Sequence, residues 1–509
     1  MMIKVILLVI FFAVMVAVGI YSRKHAMSVD GFVLGGRSVG PWLTAFAYGT
    51  SYFSAVVFVG YAGQFGWKYG LASTWIGIGN AVIGSLMAWV VLGRRTKVMT
   101  QYLNSKTMPD FFGSRYGSKP LKIAASAIVF VFLVPYTASI YNGLSRLFEM
   151  AFHIPYAWCV IGMAVFTGIY VILGGYMATA INDFIQGIIM LAGIIVVIAA
   201  VLNGQGGFLE AVGKMAEIPS DVEITLGQPG AFTSFFGPDP GNLLGVVILT
   251  SLGTWGLPQM IGKFYAIKDE KSINTGTVIS TVFAIVVSGG CYFLGGFARL
   301  FDAPAIYDEA GAVVYDSIIP HMLSALPDIL IGIVVVLVLS ASMSTLASLV
   351  LTSSSTLTLD FLKDNLLKEM SEKRQVRTMQ VLVIFFIAVS VFIALDPPTF
   401  IAQLMGISWG ALAGAFLAPF LYGLYWKGTT REGVWASFIV GVGITVVNMF
   451  MPFIESSINA GAAAMVAGLI VVPVVSLITP KLSREKTDAI FSCYEEKVTI
   501  TKKRSLEQN

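Results

Sequence analysis

Apolar runs of about 20 residues recur along the whole chain, and this is the length that a helix needs to cross the hydrocarbon core of a bilayer. Only 12% of the 509 residues are charged, which is about half the share in a soluble domain. The runs lack the two-residue alternation of barrel strands, and lipid offers no partner for a free backbone amide. The sequence therefore predicts an all-α polytopic membrane protein.

The apolar runs predict 13 transmembrane helices. Their expected limits are 3–22, 38–66, 72–93, 121–150, 155–173, 178–202, 240–266, 274–299, 326–357, 378–395, 398–426, 432–454 and 461–480. With the N-terminus outside, all but five of the 32 Lys and Arg residues fall in cytosolic loops or the tail; the five are Lys4, Lys68, Arg146, Lys214 and Arg299. Because cationic loops resist translocation, we expect the N-terminus out and the C-terminus in. The net charge of +4 then reflects the Lys and Arg residues that set the topology, and it does not indicate a nucleic-acid partner.

Two predicted helices carry polar interruptions at corresponding places. Helix 38–66 contains Gly-Thr-Ser-Tyr-Phe-Ser at 49–54, and helix 240–266 contains Gly-Thr-Trp-Gly-Leu-Pro at 253–258. Each helix opens a block of five, and five is odd, so consecutive copies must have opposite orientations. Paired interruptions are typical of substrate sites in transporters with inverted repeats, whereas a single one is more often a helix contact.

This pattern predicts a single membrane transport domain over 1–509. Its expected parts are an extra N-terminal helix (3–22), a first inverted repeat (38–202), a second inverted repeat (240–426), two C-terminal helices (432–480) and a cytosolic tail (481–509). The lipid bilayer and a small-molecule solute are the expected partners, and nothing points to an obligate protein partner.

A third polar patch lies in helix 326–357. Ala341, Ser344, Thr345 and Ser348 recur at helical spacing and therefore share one face. Hydroxyls, together with carbonyls freed by a broken helix, can hold a dehydrated sodium ion without a carboxylate. The alternative is that these hydroxyls bond back to the preceding turn.

Asp183 is the single acidic residue that we place more than three residues from the limits of a predicted helix. A carboxylate there is costly, so it is a candidate for ion binding or gating. The alternative is a helix-start residue that accepts from the N-terminal amides after Gly174 and Gly175. We expect no Lys or Arg in mid-membrane to pair the carboxylate of an acidic solute, which would rely on half-helix N-termini, hydroxyls and sodium itself.

Several separated motifs resemble the sodium/solute symporter family, whose members share a LeuT-type core of two inverted five-helix repeats. They are Phe-Val-Leu-Gly-Gly-Arg at 32–37, Gly-Gly-Tyr-Met-Ala at 174–178, Asn-Asp-Phe-Ile-Gln at 182–186 and Met-Ser-Thr-Leu at 343–346. The resemblance implies a central sodium site made by the carbonyls of Thr50, Phe53 and Ala341 and the hydroxyls of Ser344 and Thr345. Some members bind a second sodium at the position of Asp183 and at hydroxyls one turn along. Ser348 fits that pattern, but Ala347 replaces a further hydroxyl.

The resemblance also implies a solute pocket. Similarity to proline carriers points to Tyr52, Ser54, Tyr136, Thr250, Thr254, Trp255 and Pro258. Those carriers, however, have an Asp where this chain has Tyr52 and aromatic residues where it has Thr250 and Thr254. The strings at 68–71, 182–187 and 256–258 look closer to pantothenate carriers.

The resulting prediction is a sodium-coupled symporter that imports a small carboxylate such as pantothenate by alternating access. A proline-like amino acid or a monocarboxylate is the alternative solute, and a proton-coupled carrier, a channel and a sensor are alternative classes. We expect no enzymatic activity and no organic cofactor, because the chain has no Gly-rich phosphate loop and no His-Glu-x-x-His, and His25, His153 and His321 are scattered. Cys159, Cys291 and Cys493 show no pair spacing, so the sequence supports neither a disulfide framework nor a metal cluster.

Overall fold

The computed structural model, which describes residues 2–364, 366–367 and 369–495, contains twenty α-helices joined by shorter 3₁₀- and π-helical segments. They are α1 (Met2–Ser22), α2 (Val29–Leu34), α3 (Pro41–Tyr52), α4 (Ala62–Tyr69), α5 (Thr74–Gly79), α6 (Arg94–Tyr102), α7 (Met108–Tyr116), α8 (Lys119–Phe152), α9 (Tyr156–Gly204), α10 (Phe208–Glu217), α11 (Pro240–Gly253), α12 (Pro258–Ala266), α13 (Glu270–Gly295), α14 (Tyr315–Ser324), α15 (Asp328–Thr356), α16 (Glu372–Leu395), α17 (Ile401–Tyr425), α18 (Arg431–Phe450), α19 (Ser457–Ile478) and α20 (Arg484–Phe491). The predicted tail 481–509 lies outside the described residues from 496 onward.

Eleven helical segments of the described chain are long and apolar enough to cross a membrane. Two of them, Val56–Tyr102 and Tyr156–Gly204, contain 47 and 49 residues, about twice the length of one crossing. Each contains a glycine with positive φ, Gly70 at 58° and Gly175 at 54°, and L side chains rarely adopt this conformation. The chain is thus a multi-pass helical membrane protein. The count of thirteen crossings and the orientation of the termini remain predictions.

The first polar interruption is a break between α3 and the helical segment that follows it. Phe53 has extended backbone angles (φ −100°, ψ 103°). The N–H of Val57 would bond to the Phe53 carbonyl in a continuous helix, but it bonds to the Ser54 carbonyl at 3.0 Å. Ser54 Oγ also accepts from the N–H of Val56 at 3.2 Å, so Ser54 begins the second half-helix.

The second interruption is also a break, between α11 and α12. Leu257 is extended (φ −87°, ψ 120°), and α12 begins at Pro258, which suits the first turn of a helix because no N–H is needed there. The break packs tightly against α17, since a Cβ on Gly256 would lie 2.7 Å from Ala413 Cα. The expectation that both helices are interrupted is therefore confirmed.

The helix α14 lies outside the candidate crossings and contacts the N-terminus of α17. Asp316 Oδ2 accepts the N–H of Ile401, the first residue of α17, at 3.2 Å. The residue is 6% exposed. Burial raises the pKa of Asp316 to about 6, although the Ile401 N–H and the charge of Arg146 oppose this rise. A buried carboxyl group therefore fixes α14 to the start of α17.

Candidate functional site

The hydroxyl face of α15 meets α3 just before the first break. Ser344 Oγ donates to Thr50 Oγ1 at 2.7 Å. Thr345 Oγ1 lies 3.1 Å from the Thr50 carbonyl oxygen and 3.0 Å from the Ala341 carbonyl oxygen. Hydrogen bonds thus link four of the five residues expected at the sodium site, although Ser344 contacts the Thr50 hydroxyl rather than the expected Thr50 carbonyl. The Thr345 hydroxyl also donates to the Ala341 carbonyl one turn earlier, which is the back-bonding that we gave as the alternative to ion binding.

Phe53, the fifth expected ligand, lies in the break itself. Because the Val57 N–H bonds to the Ser54 carbonyl, the Phe53 carbonyl is released from the helical pattern. Thr50, Ala341, Ser344 and Thr345 are all buried. Together the five residues offer uncharged, hard oxygen atoms, which are suitable ligands for a sodium ion.

A buried lysine, Lys263 of α12, lies beside this cluster. Its Nζ donates to Ser348 Oγ at 2.9 Å and lies 3.8 Å from Asp183 Oδ2. The side chains of Lys263 and Asp183 are 3% and 0% exposed. This pairing of a buried lysine with Asp183 was not predicted from the sequence. Lys263 falls near the end of the predicted helix 240–266, where a lysine is interpreted from the sequence as part of a cytosolic flank.

Asp183 is not a helix-start residue. The helix α9 resumes directly after the non-helical Gly175, and Asp183 lies two turns further along, in the helix interior. Its carboxylate oxygens accept no hydrogen bond of normal geometry from the described residues, and the polar side chains beside them are those of Lys263 and Ser344. The alternative that Asp183 merely caps a helix is thus excluded, while its role in ion binding or gating stays a prediction. Ser348, its predicted neighbour, also contacts Ser51 Oγ at 2.8 Å.

Three aromatic residues gather between the two breaks. Tyr52 stacks on Trp409 of α17 with ring centroids 5.7 Å apart, and Tyr136 meets the same indole edge-on at 5.9 Å. Tyr52 also donates a hydrogen bond to the carbonyl of Thr250, which links α3 to α11. Trp409 was not predicted, because no local pattern in helix 398–426 distinguishes it from a packing residue.

Two polar atoms of this aromatic group make no hydrogen bond of normal geometry. The Tyr136 hydroxyl and the Trp409 Nε1 are buried and form none within the part of the chain that the structure describes, although Ser54 and Trp409 lie beside the Tyr136 hydroxyl. A buried polar group without a partner is costly. Both groups can donate, so a solute that carries a carboxylate would satisfy them.

The other expected pocket residues are already engaged or lie elsewhere. Thr254 Oγ1 bonds to the Gly84 carbonyl at 3.1 Å, Trp255 Nε1 to the Ile83 carbonyl at 3.0 Å and Thr250 Oγ1 to the Val246 carbonyl at 2.9 Å. These three side chains therefore shape the pocket more than they offer hydrogen bonds. Pro258 lines a narrow cavity together with Lys263 and Ser348.

Comparison with known proteins identifies the family to which the sequence is similar. The family model described as "Sodium:solute symporter family" matches residues 32–441. A sodium/proline symporter of Staphylococcus aureus is 29% identical over 500 residues, which cover 94% of this chain and 93% of the relative.

Solved structures share the fold. A substrate-bound, outward-open Na⁺-coupled sialic acid symporter aligns with a TM-score of 0.75 at 14% identity over 95% of this chain and 99% of its own. A nucleobase-cation-symport-1 family transporter in a closed conformation aligns with a TM-score of 0.51 at 14% identity over 90% and 97%. The fold is the LeuT type, the relatives are transporters rather than enzymes, and sodium is supported as the coupling ion. The chain belongs to the sodium:solute symporter family.

Proposed function

We propose that this protein imports a small, proline-like amino acid together with sodium. The observation that carries the proposal is the hydroxyl face of α15 meeting Thr50 beside the first helix break. The relatives named as sodium/proline symporters align with almost the whole chain. The similarity to pantothenate carriers, in contrast, rests on three short strings. We therefore favour an amino acid over pantothenate.

Sodium binding would couple to the movement of the two repeats through α3 and α15. Thr50 belongs to α3, and Ser344 and Thr345 belong to α15, so an ion bound by all three holds the two helices in one relative position. A ligand shifts a conformational equilibrium only by its difference in affinity between the states. An arrangement that separates Thr50 from Ser344 would lose sodium affinity, and the ion would leave from it.

The solute would bind between the breaks, next to this sodium site. The Tyr136 hydroxyl and the Trp409 N–H can donate to the carboxylate of an amino acid. No described acidic side chain contributes to the Tyr52–Tyr136–Trp409 group. The solute ammonium group would therefore be bound by aromatic faces and carbonyl oxygens rather than by a carboxylate.

Uptake by the purified protein in proteoliposomes tests the proposal. The panel contains proline, pantothenate, short monocarboxylates and a sugar, each with an inward sodium gradient or with choline in its place. We expect saturable proline uptake that choline abolishes. Pantothenate uptake in place of proline would overturn the solute assignment. Uptake that follows a pH gradient without sodium would overturn sodium coupling.

A pair of tyrosine variants tests the pocket. Tyr136→Phe removes one unpaired hydroxyl, and Tyr141→Phe makes the same change on the same helix at another buried, unpaired hydroxyl. Losing a hydrogen bond to a charged group costs about 1.5–3 kcal/mol, a factor of roughly 10–150. We expect the solute KM to rise by such a factor in Tyr136→Phe and to stay unchanged in Tyr141→Phe. Equal KM values for the two variants would contradict this pocket.

A further inference from the structure

The two residues expected to help bind a second sodium ion are both close to a single lysine. Asp183 Oδ2 lies 3.8 Å from Lys263 Nζ, and Ser348 Oγ accepts from the same Nζ at 2.9 Å. We infer that the Lys263 ammonium takes the place of a second sodium, so that this chain binds one sodium per transport cycle. The inference rests on the proposed sodium symport and specifies its ion count.

Charge is the first argument. An ammonium group and a sodium ion both carry a single positive charge, and Asp183 is the carboxylate that pairs with Lys263. Both side chains are almost completely buried, so water screens their charges very little. A sodium ion added beside Asp183 would face the uncompensated repulsion of the ammonium group. A second carboxylate would be needed to offset it.

The nearby carboxylate of Asp360 is already engaged and does not supply that charge. It lies further along the helical run that continues from α15, where it accepts from Thr107 Oγ1 at 2.5 Å. Lys122 Nζ lies 3.4 Å from its other oxygen. Asp360 is therefore already part of an ion-pair cluster, in which it shares Lys122 with Asp110 and Asp364.

The position of Lys263 on the second broken helix is the other argument. The residue belongs to α12, whereas Asp183 belongs to α9 and Ser348 to α15. Ser348 Oγ also lies 2.8 Å from Ser51 Oγ of α3. The ammonium group thus contacts both α9 and α15, the two helices that a second ion would have to contact. Unlike an ion, it is covalently attached and cannot leave toward the cytosol.

The ordinary alternative is an ion pair that stabilises the fold and does not affect the ion count. The Lys263–Asp183 separation of 3.8 Å is too long for a hydrogen bond. The two groups interact as charges, and the ammonium group donates its hydrogen bond to Ser348, a predicted ligand of the second ion. The number of sodium ions bound per chain distinguishes a structural ion pair from a lysine that replaces the second sodium.

Equilibrium binding of ²²Na⁺ to the purified full chain measures this stoichiometry without any solute. We expect one sodium per wild-type chain and a Hill coefficient of about 1 for sodium activation of uptake. Lys263→Ala leaves Asp183 and Ser348 without the ammonium group and should bind two sodium ions, with a Hill coefficient that rises toward about 2. Adding Asp183→Asn to Lys263→Ala should return the count to one.

Lys106→Ala is the matched control, because Lys106 lines the same narrow cavity but pairs with the half-exposed Asp30 at 2.7 Å. It should leave the wild-type count of one. Two sodium ions bound to the wild-type chain would overturn the inference even if Lys263→Ala fails to fold. An unchanged count in a folded Lys263→Ala would also overturn it. A wild-type chain that binds no sodium would instead overturn the proposed function, so the two failures are distinguishable.

Discussion

Replacing Ser344 with Ala should weaken sodium activation of transport by about 2- to 30-fold. The change removes one of five proposed ligand oxygens, and an interaction with a charged partner is worth about 1.5–3 kcal/mol. The ion-free protein also loses a hydrogen bond, because Ser344 Oγ lies 2.7 Å from Thr50 Oγ1. That loss costs about 1 kcal/mol and offsets part of the effect. The remaining 0.5–2 kcal/mol gives about 2- to 30-fold.

The assay is initial solute uptake into proteoliposomes against sodium concentration, with choline keeping the ionic strength constant. Ser340→Ala is the matched control: it makes the same change in the same helix, at a buried hydroxyl that has no hydrogen-bond partner among the described residues. Its half-saturating sodium concentration should equal that of the wild type. Thr345→Val, which keeps the side-chain volume, should act like Ser344→Ala.

The result that would refute this reasoning is a half-saturating sodium concentration that is the same in Ser344→Ala and in Ser340→Ala. The hydroxyl contacts around Thr50 would then serve helix packing alone. Solute KM at saturating sodium provides a second check. It should stay near the wild-type value, since Ser344 contacts Thr50 rather than the aromatic residues.

Three further changes test other parts of the molecule. Tyr52→Phe removes the hydrogen bond to Thr250 and should raise solute KM about 2- to 10-fold, while a shift in sodium activation instead would contradict a role in the pocket. Asp316→Asn should raise thermal stability at about pH 7.5 by the equivalent of about 3 kcal/mol, because the folded-state pKa of about 6 lies above the ordinary 3.8. Stability of the wild type falls as the pH rises through about 6, so at about pH 4.5 the advantage should shrink to about 1 kcal/mol; an advantage independent of pH would contradict this. Gly175→Ala should lower stability by about 1–3 kcal/mol because φ is 54°, whereas Gly162→Ala, in open space on the same helix, should not; equal melting temperatures would contradict the strain.

The helix breaks and the polar face of α15 could be predicted because their signals are local. Pro258 favours the start of a helix, because proline lacks an N–H and has a fixed φ. Ser344 and Thr345 share a face with Ser348 because the helical repeat places them there. Each of these features depends on a few consecutive residues, and the structure confirms the breaks and the shared contact with α3.

Lys263 and Trp409 could not be predicted in the same way, because their partners are distant in sequence. Lys263 contacts residues of α9 and α15, and Trp409 contacts Tyr52 and Tyr136. A lysine near the end of an apolar run is read from the sequence as part of a cytosolic flank. Only the tertiary packing turns its side chain toward Asp183. Contacts between residues that are distant in sequence therefore determine which charged side chains lie at the site.

The identity of the solute and the role of Lys263 are connected through the driving force. One sodium ion moving down a tenfold gradient supplies about 1.4 kcal/mol, and a potential of 100 mV adds about 2.3 kcal/mol for each net charge. One sodium with a zwitterion such as proline moves one charge and can concentrate the solute about 500-fold. One sodium with a monovalent anion moves no net charge, so only about tenfold accumulation remains.

A carrier whose second cation position is filled by Lys263 therefore suits a zwitterion better than an anion such as pantothenate. Solute-evoked current in proteoliposomes measures the net charge that moves with each solute molecule and so distinguishes a zwitterion from an anion. Proline should evoke an inward current of one charge per molecule, and Lys263→Ala should raise this ratio toward two. Electroneutral uptake of an anionic solute would keep the single sodium but contradict the amino-acid assignment, because the membrane potential would then contribute nothing to accumulation.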